Sequence, residues 1–173
     1  ISAMKKIVAG LILSAAAAAA FTSVSAQSKP FTVVETSIPE MQAAMKDGRV
    51  TSRRLVELYL QRIALYNSQI NAVITVNPKA LEEADRLDRE RKAGKVRGPL
   101  HGIPVAVKDN ILTTSMPSSG GALAFKDYIP PYEATLVTNL REAGAIVMAK
   151  STLTELANWM AAPPTPMEGG YNA

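Results

Sequence analysis

The most informative part of the sequence is Gly98-Pro-Leu-His-Gly-Ile-Pro-Val-Ala-Val-Lys-Asp-Asn-Ile111. Its apolar run, residues 103–107, follows a turn-rich segment and ends at the polar residues Lys108, Asp109 and Asn110. A short apolar run bounded in this way predicts a buried β-strand. Pro104 lies near its start, where a missing N–H donor does least harm. Lys108 then stands at the carboxyl end of a strand, where the binding sites of α/β proteins commonly lie.

Helix and strand patterns surround this run. Upstream, the sequence predicts helices over about 38–47, 51–66 and 78–92, with a short strand over 72–76. Downstream, it predicts a loop over 113–121, a helix over 132–143, a buried strand over 145–149 and a helix that Thr152 caps. The alternation from residue 78 onward indicates an α/β fold, with N-terminal helices followed by part of a mixed or parallel sheet with flanking helices.

The composition allows a buried core and excludes several kinds of site. Of the 173 residues, 47% are apolar. The net charge is +4, but the basic residues alternate with acidic ones, so nucleic-acid binding is not indicated. The absence of cysteine excludes a cysteine nucleophile and thiolate metal ligands. His101 is the only histidine, which argues against a Ser-His-Asp triad or a multi-histidine zinc site in this chain.

The N-terminal residues have the three parts of a secretory signal peptide. A membrane anchor is the alternative, but the apolar stretch is short for a span of about 20 residues. We expect cleavage between Ala26 and Gln27, and hence a periplasmic or secreted protein with no stable membrane anchor. The features are a start at Met4, positive charge at Lys5 and Lys6, an alanine-rich apolar stretch over 7–21, and compact residues at Val24-Ser25-Ala26.

Residues 27–173 would form the mature chain, and we expect them to belong to a single domain. Loss of Lys5 and Lys6 lowers the number of basic residues from 19 to 17 against 15 acidic ones, so the mature net charge is +2. Because the chain has no cysteine, an oxidising compartment adds no disulfide, and stability must come from packing.

The stretch 98–111 resembles the amidase signature family, in which a strand ends in a lysine followed by Asp and Asn, as here at Lys108-Asp109-Asn110. Further segments match in order, and the resemblance covers roughly residues 37–173. It implies an incomplete amidase-type fold, the N-terminal part of one amidase domain. The matching segments are the two preceding helices with Asn71-Ala72, the loop 116–123, the helix and strand over 133–150, and the start of a helix over 151–157.

In that family the catalytic triad is a nucleophilic serine, a second serine in a cis peptide, and a lysine. The resemblance implies the lysine role for Lys108. The position at a strand end agrees, because desolvation there disfavours an ammonium and lowers its pKa. A neutral lysine can then take a proton from the nucleophile through the bridging serine. The alternative for Lys108 is a surface lysine that only ends a strand.

The resemblance implies that the two serines lie in a Gly/Ser-rich stretch well downstream, beyond Ala173. The same stretch supplies the backbone N–H groups that stabilise the oxyanion. Ser118-Ser119-Gly120-Gly121 looks like part of that motif, but its position soon after Lys108 matches a different loop. We interpret it as a flexible loop near the site, and we expect the triad to be incomplete in these 173 residues.

Other polar residues have weaker claims to a role. Asp109 is expected to orient backbone N–H groups after the strand. Lys150 ends the second strand in a setting similar to that of Lys108; a structural role is expected, with a role near the site as the alternative. His101 is expected to pack or hydrogen-bond in its loop. Asn158 and Trp159 are candidates to line the mouth of a substrate pocket, with core packing as the alternative for Trp159.

These observations predict an exported amidase that hydrolyses a carboxamide C–N bond of a small molecule through a serine acyl-enzyme, with no metal and no organic cofactor. One alternative is a truncated, catalytically silent chain with at most a binding or structural role, and for the 173 residues alone we expect inactivity. Another is the activity of the amidotransferase subunit that amidates mischarged tRNA, which the signal peptide disfavours. The sequence indicates neither a particular amide nor an oligomeric state.

Overall fold

The computed structural model describes residues 30–157, which form helices around a three-stranded sheet. This α/β architecture confirms the predicted fold class. Two 3₁₀ turns, Leu123–Phe125 and Glu155–Ala157, complete the regular structure of the described residues. In chain order the helices and strands are α1 (Ile38–Lys46), α2 (Ser52–Ile70), β1 (Val73–Val76), α3 (Ala80–Lys92), β2 (Pro104–Lys108), α4 (Thr135–Glu142) and β3 (Ile146–Ser151).

Helix α1 begins where its sequence predicts, and the structure adds a capping box at its start. The backbone N–H of Glu40 donates to Ser37 Oγ at 3.4 Å, and the N–H of Ser37 donates to Glu40 Oε2 at 2.7 Å. These reciprocal bonds satisfy donors that a helix start otherwise leaves unpaired. Gly48 follows the helix with φ +70°, a conformation that favours glycine.

Helix α2 is capped by Thr51, whose hydroxyl accepts from the N–H of Arg54 at 3.0 Å. The expected break at 67–69 is wrong, because the helix continues to Ile70. The reason lies in the side chain of Asn67, which stays in the helix and accepts from the N–H of Val73 while donating to its carbonyl, both at 2.8 Å. Asn67 therefore ties the end of α2 to the start of β1.

The strand order is β1-β3-β2, so β3 lies in the centre of the sheet. Strand β2 pairs with β3 in parallel, and β1 pairs with β3 antiparallel, which gives the mixed sheet that the sequence allows. All residues from Ile146 to Lys150 are buried, as expected for a central strand. In β2 only Val107 is buried, so the prediction of a fully buried strand is wrong there. As an edge strand, β2 tolerates Pro104 without losing a ladder hydrogen bond.

A bulge in β3 changes which face its residues address. Val105 pairs with Val147, but the next residue, Ala106, pairs with Ala149, so Met148 is the extra residue. Met148 and Ala149 both join the cluster beneath α2 and α3. After the bulge, Lys150 pairs with Val107 and returns to the face that α4 covers. The apolar cluster of that face comprises Val107, Met116, Val137 and Val147.

Two predicted helix starts differ from the structure. Helix α4 begins at Thr135 rather than near 132, because Glu133 lies in a loop where its carboxylate accepts from Arg141 Nε at 3.1 Å. Thr152 does not cap a helix: its hydroxyl donates to the carbonyl of Asn71 at 2.6 Å, which joins the end of β3 to the segment before β1. Up to residue 157, where the described part of the chain ends, the short turn Glu155–Ala157 follows.

No helix within residues 30–157 combines the length and the apolar character needed to cross a bilayer. The expected signal peptide, residues 1–26, lies outside the described residues. So do Asn158 and Trp159, the residues expected at a pocket mouth.

Candidate active site

The carboxyl ends of β2 and β3 lie side by side, since the two strands run parallel. Lys108 is the register partner of Ser151, and the N–H of Asp109 donates to the carbonyl of Ser151 at 3.0 Å. The side chain of Lys108 is exposed. In the described part of the chain no carboxylate forms an ion pair with it. The structure thus places Lys108 at the expected strand end, with its side chain exposed among residues 30–157, where β2 is an edge strand.

The buried lysine of this edge is Lys150. Its Nζ atom donates to the carbonyls of Asp109 at 3.2 Å and Ile111 at 2.5 Å, and to Ser118 Oγ at 3.0 Å. The Oδ1 atom of Asp109 lies 3.6 Å from the same nitrogen. Burial lowers the pKa of Lys150, and the charge and hydrogen bond of Asp109 oppose that shift.

Asp109 connects Lys150 to the serine-containing loop. Its Oδ2 atom accepts from the N–H of Ser119 at 3.0 Å and from Ser119 Oγ at 2.5 Å. The carboxylate therefore holds a backbone N–H of the loop, 10 residues further along the chain, rather than the N–H groups directly after the strand that the sequence predicts.

The loop 113–121 is present as predicted, and Thr113, Met116 and both serines are packed in the interior. Ser118 and Ser119 expose only 6% and 3% of their surface. The N–H of Ser118 donates to the carbonyl of Tyr128 at 2.9 Å, and the N–H of Gly121 donates to Ser119 Oγ at 3.1 Å. Both hydroxyls are thus engaged in the interior, which leaves neither in position to attack a substrate in solution.

His101 is a packed loop residue, as expected. The N–H of Arg97 donates to its Nδ1 at 3.3 Å, and its Nε2 lies 3.0 Å from the carbonyl of Leu87. This pair of partners assigns the neutral tautomer that carries the proton on Nε2. Burial lowers the pKa of His101 below its usual value, and the hydrogen bond to the carbonyl of Leu87 opposes that shift.

The sequence interpretation does not foresee that Lys150, Asp109 and the two serines form one buried network. Each residue stands out separately, since Lys108 and Lys150 both end strands and the loop carries two adjacent serines. One sequence signal could have predicted the network. Lys150 lies at the end of an otherwise apolar strand, and Asp109 comes directly after the neighbouring strand. A lysine in that setting needs oxygen partners.

Residues 30–157 contain no group of three or more His, Asp and Glu side chains arranged to hold a metal ion. A shallow cleft does occur elsewhere, between the carboxyl half of α2 and β1. Its walls are mostly apolar, and its cation, Arg62, stacks over the ring of Tyr66 at 5.4 Å from the centroid. The cleft lacks the converging polar groups of the β2–β3 edge, so that edge is the better candidate site.

The comparisons with known proteins identify the family of this chain. The sequence model of the Amidase family matches residues 54–172, which include Lys108, Asp109, Ser118 and Lys150. The chain is 42% identical over 120 residues to a putative amidase of Arthroderma benhamiae, covering 69% of this chain and 20% of that protein. It is 37% identical over 124 residues to a glutamyl-tRNA(Gln) amidotransferase subunit of Natranaerobius thermophilus, covering 71% and 25%.

Solved structures of amidases share the fold. The native peptide amidase of Stenotrophomonas maltophilia matches with a TM-score of 0.70 and 47% identity, over 72% of this chain and 26% of that one. An amidase family protein of Bacillus anthracis matches with a TM-score of 0.68 and 39% identity, over 71% and 25%. This chain belongs to the amidase family. It spans about a fifth to a quarter of the length of these relatives.

Proposed function

We propose that this chain supplies the lysine of a Ser-cisSer-Lys amide hydrolase, and that this lysine is Lys108. The supporting observation is the contrast between the two lysines at the carboxyl edge of the sheet. The ammonium of Lys150 is buried and already donates to three oxygen atoms. The side chain of Lys108 is exposed at the same edge. Of the two, Lys108 is the lysine that can meet a substrate and further catalytic groups.

In the proposed reaction a serine Oγ attacks the carbonyl carbon of a small carboxamide. The proton of that serine passes to the bridging serine, whose own proton passes to the neutral amine of Lys108. When the C–N bond breaks, the leaving amine takes a proton back along the same path. Water then attacks the acyl-enzyme ester and releases the carboxylic acid, which regenerates the serine. Both serines and the oxyanion donors are assigned to protein outside these 173 residues.

The mechanism places one requirement on the site. A lysine acts as a base near neutral pH only when burial disfavours its charged form. Because the side chain of Lys108 is exposed among the described residues, the proposal requires that substrate or further protein cover this edge in the active enzyme.

The test uses the complete reading frame that contains this chain and measures ammonia and acid released from a panel of small carboxamides. Lys108→Ala should lower kcat by about 10²-fold or more, as expected for loss of a general base. Lys95→Ala, at an exposed lysine away from the strand ends, serves as the matched control and should keep full activity. Trapping of the acyl group by hydroxylamine supports the acyl-enzyme. Full turnover in Lys108→Ala would remove this lysine from the mechanism, and no turnover by the unmodified protein would favour the catalytically silent alternative.

A second candidate is the activity of an amidotransferase subunit, which the identity to the glutamyl-tRNA(Gln) amidotransferase subunit of Natranaerobius thermophilus favours. The two candidates differ in where the amide nitrogen goes. Release of free ammonia without tRNA supports hydrolysis, whereas amidation of an aminoacyl-tRNA that requires this protein supports the second candidate.

Export is a further part of the proposal. The supporting observations are the charged, apolar and compact segments of residues 1–26. N-terminal sequencing of the mature protein should begin at Gln27. A mature protein that still begins at Met4 would contradict cleavage.

A further inference from the structure

We propose that Lys150 is a positioning residue, whose buried ammonium clamps the segment that follows Lys108 to the loop that carries Ser118 and Ser119, and thereby fixes the strand end from which Lys108 projects. The inference rests on the proposed function of Lys108, because Lys150 would hold that lysine in place without itself taking part in the reaction.

The contacts of Lys150 suit a charged ammonium. Two of its partners are backbone carbonyls, those of Asp109 and Ile111, and a carbonyl only accepts hydrogen bonds. The third partner, Ser118 Oγ, lies 3.0 Å from Nζ, and Asp109 Oδ1 lies 3.6 Å away. An ammonium has three N–H donors, one for each of the three oxygen atoms it binds, and the facing carboxylate stabilises its charge.

The clamped segment begins at Lys108 itself. The two carbonyls that Lys150 binds flank Asn110, directly after the strand. The N–H of Ile111 donates back to the carbonyl of Lys108 at 2.9 Å, so the turn that Lys150 holds is closed on the peptide of Lys108. Loosening this turn would release the backbone of Lys108.

The two lysines address opposite faces of the sheet. Lys150 is in register with Val107, and Lys108 is in register with Ser151. Side chains alternate along a strand, so the neighbours Val107 and Lys108 point to opposite faces. The bulge at Met148 brings Lys150 to the face of Val107. One lysine can therefore hold the turn from inside while the other remains accessible.

Asp109 extends the clamp to the loop. Its carboxylate lies 3.6 Å from Lys150 Nζ through Oδ1 and binds Ser119 through Oδ2. The loop in turn lies against the segment after β3: a Cβ added at Gly121 would approach the carbonyl oxygen of Leu153 to 2.7 Å. The buried ion pair of Lys150 and Asp109 thus links the end of β3, the segment after β2 and the loop.

The first measurement needs no substrate. Amide hydrogen exchange, resolved by NMR, is compared between the unmodified chain and Lys150→Met, which keeps the length of the side chain and removes the donors. The amides of Asp109, Ile111 and Ser119 should exchange about tenfold faster or more, since hydrogen bonds to charged groups contribute about 1.5–3 kcal/mol. Amides in α2 and α3 should keep their rates. Lys126→Met, at an exposed lysine, is the matched control and should change none of these amides.

The second measurement uses the complete reading frame and a carboxamide that the unmodified protein hydrolyses. Lys150→Met should lower kcat by about 10²-fold with little change in KM, because misplacement of a reacting group by about 1 Å has an effect of that size. If Lys150 only stabilised the fold, the variant would instead yield less folded enzyme, and the folded fraction would keep both its kcat and its KM. Absence of hydrolysis by the unmodified protein refutes the proposed function, and the exchange experiment still decides the clamp.

A variant that keeps the charge protects the test against misfolding. Ser118→Ala removes one acceptor and leaves Lys150 and Asp109 in place, and it should accelerate exchange at Ile111 and Ser119 in a folded protein. Unchanged exchange at these amides in a folded Lys150→Met, or in Ser118→Ala when Lys150→Met does not fold, would overturn the proposal. So would unchanged kcat in a Lys150→Met enzyme whose parent is active.

Discussion

Lys150 and Asp109 form an ion pair in the interior, with 3.6 Å between Nζ and Oδ1 and side-chain exposures of 0% and 1%. Removing two charges from water carries a large desolvation cost, so such a pair contributes little to stability by comparison with apolar residues. Removing one member of the pair is strongly destabilising, because the remaining charge stays buried without its partner. The pair is best understood as a constraint on the arrangement of the chain at the β2–β3 edge.

Asp109→Ala should therefore lower the free energy of unfolding by about 3–5 kcal/mol, the usual effect of leaving one buried charge unpaired. Urea unfolding of the chain measures the change. The double variant Asp109→Ala with Lys150→Met removes both charges and should lose less than the sum of the two single variants. Additive losses would show that the two side chains do not interact.

His101 should titrate below its usual value of 6.5, because burial lowers its pKa and the N–H of Arg97 already occupies Nδ1. As the single histidine of the chain, it has a single Cε1–H proton signal that NMR can follow. The folded pKa is lowered, so the unfolded chain binds the extra proton first. The contribution of His101 to stability is therefore intact above pH 6.5 and decreases as the pH falls from there through the folded pKa. A midpoint above 6.5 would contradict this packing.

Gly144→Ala should destabilise the fold by more than a comparable change at Gly94. Both glycines have positive φ, +88° and +76°, which costs a residue with a Cβ about 1–2 kcal/mol. A Cβ at position 144 would also lie 2.8 Å from His101 Cα, whereas a Cβ at position 94 meets nothing within 4 Å. We expect an additional loss of about 1–3 kcal/mol at position 144 from this overlap. Equal unfolding midpoints for the two variants would contradict the close approach.

Ser37→Ala should lower stability by about 1 kcal/mol, because the N–H of Glu40 loses its acceptor at the start of α1. Ser37→Asp keeps a side-chain oxygen at the cap and serves as the control, with an expected change of only a few tenths of a kcal/mol. Thermal unfolding of the three proteins in parallel makes the comparison. Similar losses in both variants would show that the cap acceptor is not what stabilises this helix start.

Local patterns predicted most of the regular structure. Short-range patterns located α1 and the start of α2, because a proline in the first turn and apolar residues at helical spacing act within a few residues. The same reasoning failed where a side chain bonds to a distant element. Asn67 continues a helix that its residue type tends to break, because Val73 satisfies its amide. Thr152 leaves its expected cap position because the carbonyl of Asn71, far away in sequence, accepts its hydroxyl proton.

By itself the sequence determined that Lys108 ends a strand and that the chain resembles the amidase signature family, since both depend on residue order alone. Only the tertiary structure decided which strand-end lysine is buried. That outcome depends on the central position of β3, the edge position of β2 and the bulge at Met148. Local sequence patterns do not encode these features. The physical reason is that strand pairing sets both the register of a residue and the face on which its side chain lies. The oxygen atoms that bind Lys150 come together only when the loop packs on the sheet.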